Sequence, residues 1–391
     1  MSGQASAQSR GAVAEKRIAA LDGWRGVSIA MVIFGHLVDY RYGGTSPGIA
    51  HEIADALSTL GVCTFFVISG LIITQLALRE RDSAGSFSAR RFYIRRVLRI
   101  VPPFYAYLVF VLAMAALGAI GQRAGQTLEA ATFSCNLPGA NCGWFGGHSW
   151  SLAYEEQFYL VFPLVFLAVG RDLRIVVALL FATFVGAPLV RFALHLGPPW
   201  YAVIHATFFL SFICAGALLA GWRDITARLC GGAYGGHGAL AALLILCGLV
   251  ALEVYHNLHP SIWRYDALHR LLPPVLEPLC IAWLLGWSLH SRGAVLRLLE
   301  TGPLLFLGTI SYSLYLWQQL FTAPPVDYGS TGWLLFCPLM FVFAILSYYL
   351  IERPCVRFAK RVGGGNATQS QGARLPTLRG RTRDNGRRNT R

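Results

Sequence analysis

Two ionisable side chains stand in an otherwise apolar segment, LDGWRGVSIAMVIFGHL over residues 21–37: Arg25 and His36, with ten residues between them. On an α-helix, eleven steps of about 100° bring the two within roughly 20° of one face, about 16 Å apart along the axis. Either residue alone reads as ordinary, since an arginine snorkels to the interface and a histidine bonds a neighbouring helix. Together they point to a polar cavity, because an ionisable group inside a membrane span costs a few kcal/mol and usually faces one. Histidine is also the side chain best matched to proton transfer near neutral pH. His36 is therefore the candidate general base, with Arg25 a fixed cation at the other end of the same face. Asp39, three residues on, is a weaker candidate for orienting the imidazole.

A second constellation joins TFFVISGLIITQL, residues 64–76, to ARRFYIRRVLRIVPPFY, residues 89–105. Arg90, Arg91, Arg95, Arg96 and Arg99 fall within ten positions, more than orientation in a membrane requires. Arginine suits phosphate because its planar fork donates two hydrogen bonds and keeps its charge. Ser69 and Gly70 interrupt an apolar run where glycine permits close backbone approach. The pair Pro102–Pro103 reads as the start of the next helix, where missing amide donors cost little.

The third is HSWSLAYEEQFYLVFPL, residues 148–164, in which Glu155 and Glu156 lie inside an aromatic run. Neighbouring residues point about 100° apart, so the two cannot face one cavity equally. From the residues alone, either is the functional carboxylate, while His148 and Trp150 read as members of an interfacial aromatic belt. Later, Tyr312, Tyr315 and Trp317 read as core or interface aromatics, and Glu352-Arg353-Pro354 as a helix end with two charges free to pair.

The elements that must position these groups are membrane helices. With 391 residues, 55% hydrophobic and 13% charged, and a mean hydropathy of +0.51, the chain is too apolar for a soluble domain of its size. Apolar runs that read as crossings of about 30 Å of hydrocarbon recur near residues 26–38, 57–78, 100–120, 152–169, 175–190, 201–220, 239–252, 272–289, 304–321 and 333–351, the first and seventh being short. The expected fold is an all-α integral membrane protein, a polytopic bundle of about ten transmembrane helices. The formal charge of +14 would suggest nucleic acid in a soluble protein. Here most basic residues fall in alternate loops, the positive-inside asymmetry, which puts both termini in the cytoplasm and excludes a nucleic-acid partner.

Three parts are expected: a cytoplasmic N-terminal segment over 1–17, a membrane domain over 18–361, and a disordered, basic cytoplasmic tail over 362–391, too polar to fold alone. No cleaved signal peptide is expected, and the first span serves as the insertion signal. Of nine cysteines, Cys135 and Cys142 fall in an outward loop and could close a small structural disulfide. No metal site is expected.

The residues around Arg25 and His36, FFVISG, RRVLRIVPP, WSLAYEEQFYL, ISYSLYLW and SYYLIERP occur in the order and spacing of one known group. From about Ile18 to Arg357 the chain resembles the membrane O-acyltransferases of the acyltransferase 3 family, which acylate bacterial surface and secreted glycans. The resemblance implies a bundle of about ten spans in the bacterial inner membrane, acyl-CoA as the cytoplasmic co-substrate, and a hydroxyl acceptor reached from the outer side. It also implies that Arg25 and His36 are required for transfer, that Arg95, Arg96 and Arg99 serve donor binding, and that Glu155 is the essential carboxylate. Ser69 and Gly70 join the donor-site candidates. One departure stands out: family members often have histidine where this chain has Gln318, and glutamine cannot accept a proton near pH 7, so its role would be orientation. No esterase-like domain follows the last span in this sequence, so all activity is expected to rest on the bundle.

The mechanism these expectations describe docks an acyl-CoA, most simply acetyl-CoA, by its phosphates on Arg95, Arg96 and Arg99, with Arg25 at the inner mouth. A pantetheine arm of about 15–20 Å then carries the thioester to His36. His36 takes the acceptor's proton while Glu155 orients the imidazole or the acceptor, a carbohydrate or lipid-linked glycan. The alternative from another class is a proton-coupled transporter or flippase; it gives no reason for seven arginines between residues 79 and 99. A non-catalytic membrane sensor is a third reading.

Overall fold

The computed structural model describes residues 19–38, 48–194, 201–232, 234–259, 268, 270–290, 293–322 and 332–362, without the side chains of 171, 201, 202, 204 and 332–336. Asp39 and the expected terminal segments, 1–17 and nearly all of 362–391, lie outside these residues. Every regular element described is helical.

The helices run α1 (Ala19–Val38), α2 (Ile49–Ala84), α3 (Ala89–Ala116), the short α4 (Ala124–Ala131) and α5 (Gly143–Gly147), α6 (Ser149–Val169), α7 (Leu173–Ala193), α8 (Tyr201–Gly221), α9 (Arg223–Gly231) and α10 (Gly235–Leu258). Then follow α11 (Pro273–His290), the short α12 (Ala294–Leu299), α13 (Gly302–Phe321), α14 (Gly332–Ser347), a π-helical turn at Tyr348–Glu352, and α15 (Arg353–Val362). Among the described residues, seven helical segments are long and apolar enough to cross a membrane, or eight if α8 and α9, bent by 91° at Trp222, make one span. This is the architecture of a polytopic membrane protein, with fewer clear spans than the ten expected. The shortfall has a physical cause. The helices α11 and α13 stand where spans were expected, but α11 carries three prolines and Glu277, and α13 carries Ser311, Ser313, Gln318 and Gln319. Those four polar residues of α13 are all buried, so its polarity faces the bundle and lowers its hydropathy without placing it at the surface.

Close helix contacts fix α1 and α2. A side chain at Gly26 would collide with the Leu304 carbonyl of α13, and one at Gly308 with the Asp22 carbonyl of α1. Small residues thus let α1 lie directly on α13, which aims Arg25 inward. Gly70 and Gly216 do the same for α2 and α8, each facing the other helix's backbone at Ile213 and Val67. Gly70 is therefore a helix-crossing residue and lines none of the site's cavities.

Two other expectations are corrected. α3 begins at Ala89 with Ser88 accepting from the Arg91 amide (3.3 Å), and it runs through Pro102 and Pro103 instead of starting there. One residue past the Leu98 and Arg99 carbonyls that the two prolines leave without amide donors, the Tyr312 hydroxyl donates to the Ile100 carbonyl at 2.8 Å, tying α3 to α13. Nor does a helix end at Glu352. The chain passes through the π-helical turn into α15, with Glu352 buried and accepting from Ser313 Oγ at 2.8 Å, while the Arg353 guanidinium lies over the Tyr349 ring.

Candidate active site

The five-arginine run divides by helical geometry. Arg91 and Arg95, four residues apart on one face of α3, both reach Glu80 on α2, at 3.0 and 2.7 Å. Arg99, a further turn along the same side as Arg95 and beyond the reach of Glu80, and Arg96 beside it turn into the bundle, where both line an inner cavity with Arg25, Ser69, Glu155 and Tyr159. The Arg96 guanidinium sits 5.3 Å over the Tyr159 ring. Of the expected donor-site residues, Arg25, Ser69, Arg96 and Arg99 converge, whereas Arg95 is held in an ion pair away from the cavity lining.

Glu155, and not Glu156, faces that cavity. Its carboxylate accepts from Ser69 Oγ (2.7 Å) and from the Tyr159 hydroxyl (3.0 Å), and Tyr159 is itself within 3.0 Å of Ser69 Oγ. Glu155 was expected to orient the imidazole or the acceptor; among the described residues both of its hydrogen bonds go to these hydroxyls and none to the imidazole. At the far end of the cavity Ser151 Oγ and the Tyr315 hydroxyl meet at 2.6 Å.

His36 lies beyond that end. Its Nδ1 is 2.7 Å from Gln318 Oε1, and Gln318 stands three residues, about 4.5 Å of helical rise, past Tyr315 on α13. A chain of bonds fixes the amide: Gln318 Nε2 donates to Gln319 Oε1 (3.1 Å), and Gln319 Nε2 donates to the Trp144 carbonyl (3.0 Å). Since an amide oxygen only accepts, Nδ1 carries the imidazole proton and Nε2 is the basic nitrogen. The Trp144 ring packs edge-on to His36, with centroids 6.2 Å apart, and its indole donates to the Gln319 carbonyl at 3.0 Å. Trp144 lies in α5, directly after the loop closed by the Cys135–Cys142 disulfide, whose Cα atoms are 5.9 Å apart.

On the other side, Arg25, Ile72 and Arg99 also line a second, larger cavity, here called the vestibule. Six arginines line it, Arg25, Arg79, Arg81, Arg99, Arg174 and Arg223, against Asp22 and Asp82. Arg25 is 3.5 Å from Asp22. Arg79, Arg81, Arg174 and Arg223 were legible in the sequence only as loop charges, because they come from three separate segments that the fold gathers. Glu352 is buried and bonded to Ser313, and it lines neither cavity.

Comparison with known proteins decides the family. A family model described as an acyltransferase domain, acyltransferase 3, matches residues 18–352. The chain belongs to the acyltransferase 3 family. Among relatives, a Staphylococcus aureus protein bearing the provisional name of an O-acetyltransferase is 26% identical over 367 residues, 86% of this chain and 57% of its own. Peptidoglycan O-acetyltransferase OatA of Listeria monocytogenes is 24% identical over 374 residues, covering 87% of this acyltransferase 3 chain and 56% of OatA. YrhL of Bacillus subtilis, provisionally named a peptidoglycan O-acetyltransferase, is 25% identical over 370 residues, 86% of this chain and 54% of its own. The chain thus spans just over half the length of these curated relatives. No solved structure matches it.

Proposed function

We propose that this protein is a membrane-embedded O-acetyltransferase that moves an acetyl group from cytoplasmic acyl-CoA to a hydroxyl of an extracytoplasmic glycan such as peptidoglycan, at the bacterial inner membrane. The observation that carries this reading is the position of Arg25. It lines both the arginine-rich vestibule and the inner cavity, and His36 stands about 16 Å further along the same helix. That separation suits a carrier whose phosphates stay at one end while a thin arm delivers a thioester to the other.

On this reading the vestibule arginines hold the phosphates of the donor by charge-assisted hydrogen bonds. The arm passes Arg25 and Arg99 into the inner cavity, where Ser69, Glu155 and Tyr159 form a hydrogen-bonded wall. Glu155 has two tasks there: it fixes the Ser69 and Tyr159 hydroxyls and balances the charge of the arginines around it. At the far end His36 Nε2 accepts the proton of the acceptor hydroxyl as its oxygen attacks the thioester carbonyl. The tetrahedral adduct collapses, the carbon–sulfur bond breaks, the ester remains on the acceptor, and the imidazolium returns its proton to the departing thiolate. Gln318 holds the imidazole in the tautomer this step needs.

The test is transfer of labelled acetyl from acetyl-CoA to soluble glycan strands of peptidoglycan by the purified protein in nanodiscs. Label appearing on the glycan as alkali-labile ester supports the reading. Proton-coupled uptake or flipping of a glycan with no label transfer would replace it with a transporter.

A further inference from the structure

A third cavity opens off the vestibule. It has a volume of about 300 Å³, at the lower end of small-molecule sites, and it shares Leu78, Arg81, Arg174 and Gly221 with the vestibule. Its own walls add Val177 and Leu218 on the apolar side, and Trp222 at the 91° bend between α8 and α9. The Trp222 indole is only partly buried and makes no ring contact and no side-chain hydrogen bond with any described residue. The Arg174 guanidinium likewise makes no hydrogen bond or ion pair with any described residue, whereas Arg81 is held by Asp82 (3.2 Å) and by the Gly170 carbonyl (3.4 Å).

We infer that this annex binds the purine base of the donor nucleotide, between the Trp222 indole and the apolar side chains of Leu78, Val177 and Leu218. The inference rests on the acyl-CoA reading above and adds to it the recognition of the base. Three spaces that share lining residues occur in one order: an annex of apolar side chains and Trp222 edged by Arg81 and Arg174, an arginine-lined vestibule, and a smaller cavity that leads toward His36. A coenzyme A thioester has three parts in the same order: a planar base, phosphates, and an arm ending in the reactive carbonyl. The annex offers what a base needs and a phosphate does not, an aromatic face for stacking and an apolar floor. Arg174, at the shared edge, can stack on the base or reach the ribose phosphate with its planar fork.

The experiment compares two donors with the same thioester and arm, acetyl-CoA and S-acetyl-4′-phosphopantetheine, the second lacking the nucleotide. The full-length protein in nanodiscs is assayed as wild type, Trp222→Ala, Trp222→Phe and Val177→Trp, the last placing a bulky ring in the annex. Wild type is expected to favour acetyl-CoA in kcat/KM. Trp222→Ala and Val177→Trp should each cut that preference by about tenfold, the scale of one stacked base, with turnover of the shorter donor little changed. Trp222→Phe should keep most of the preference. An unchanged preference in both disrupting variants overturns the annex while leaving the donor reading intact. Equal losses on both donors overturn it too, since they mark a structural role. Loss of a copurifying phospholipid from Val177→Trp with unchanged donor preference would make the annex a lipid site and overturn it. A wild type that uses neither thioester overturns the donor reading, and the inference with it.

Discussion

Gln318 Oε1 lies 2.7 Å from His36 Nδ1, a hydrogen bond that ties α13 to α1 across 282 residues of sequence. Because Gln318 is fixed in turn by Gln319, and Gln319 by the Trp144 carbonyl, the imidazole's orientation is set by a side-chain relay. Gln318→Leu should leave the Nδ1 proton without its acceptor and slow transfer about ten- to a hundredfold, the effect of one unsatisfied buried group. Gln318→Glu keeps an acceptor oxygen in place and should retain most activity. Equal rates for wild type and Gln318→Leu at saturating donor would remove Gln318 from the mechanism.

The arginines of α3 should separate in kinetics as they do in space. Arg96→Gln and Arg99→Gln are expected to raise the KM for acetyl-CoA, with partial rescue by lysine, which keeps the charge and loses the bidentate fork. Arg95→Gln should leave KM alone and cost at most about 1 kcal/mol of stability, since its pair with Glu80 is partly exposed. A KM rise for Arg95→Gln as large as for Arg99→Gln would mean that the ion pair opens to receive the donor.

How much of this was legible in the sequence differs between residues. Helical spacing, a local property, put Arg25 and His36 on one face of one helix, but only packing decides that Arg25 lines two cavities while His36 meets Gln318 and lines neither. The Glu155–Glu156 ambiguity could not be resolved locally, because it depends on which face of α6 meets Ser69, 86 residues earlier. The arginine run looked uniform in sequence, and it was Glu80, on a different helix, that removed Arg91 and Arg95 from the inner face. The vestibule was invisible for the same reason: Arg79, Arg174 and Arg223 become neighbours only through packing. α13 was expected as a span from its length, while its polar residues hid the fact that it is among the most buried helices of the fold.

Gly70 tests the division between packing and binding. Gly70→Ala puts a methyl group against the Ile213 backbone, which cannot move as a side-chain tip can, so about 1–3 kcal/mol of stability should be lost. The thermal midpoint of the purified variant should fall, with no selective rise in donor KM. A normal midpoint with weakened donor binding would return Gly70 to the donor site.

The Cys135–Cys142 bridge should be dispensable for transfer. Its loop is also held by the Asn141 amide donating to Glu129 (2.6 Å), by Gln122 donating to the Cys142 carbonyl (2.9 Å), and by the two bonds between Trp144 and Gln319. The double variant Cys135→Ser, Cys142→Ser is expected to insert normally and keep most of its activity, with a lower thermal midpoint. Loss of transfer in a well-inserted double variant would show that the bridge itself holds Trp144 against His36.

The sharpest prediction concerns the two ends of α1. If His36 Nε2 is the base, His36→Gln should cost on the order of 100-fold or more in kcat, the worth of a positioned base, while acetyl-CoA binding stays nearly intact. Glutamine preserves approximate size and hydrogen bonding and removes only basicity. Were His36 a structural link to Gln318, the same change would be tolerated, since an interhelical hydrogen bond in a membrane contributes only about 1 kcal/mol. Arg25→Ala should act in the opposite order, weakening donor binding first, because Arg25 lines the vestibule and inner cavity and His36 lines neither. Equilibrium binding of acetyl-CoA measured beside single-turnover transfer separates the two ends. A correctly inserted His36→Gln protein that transfers acetyl at near wild-type rate would remove His36 from the chemistry and leave only its place in the relay.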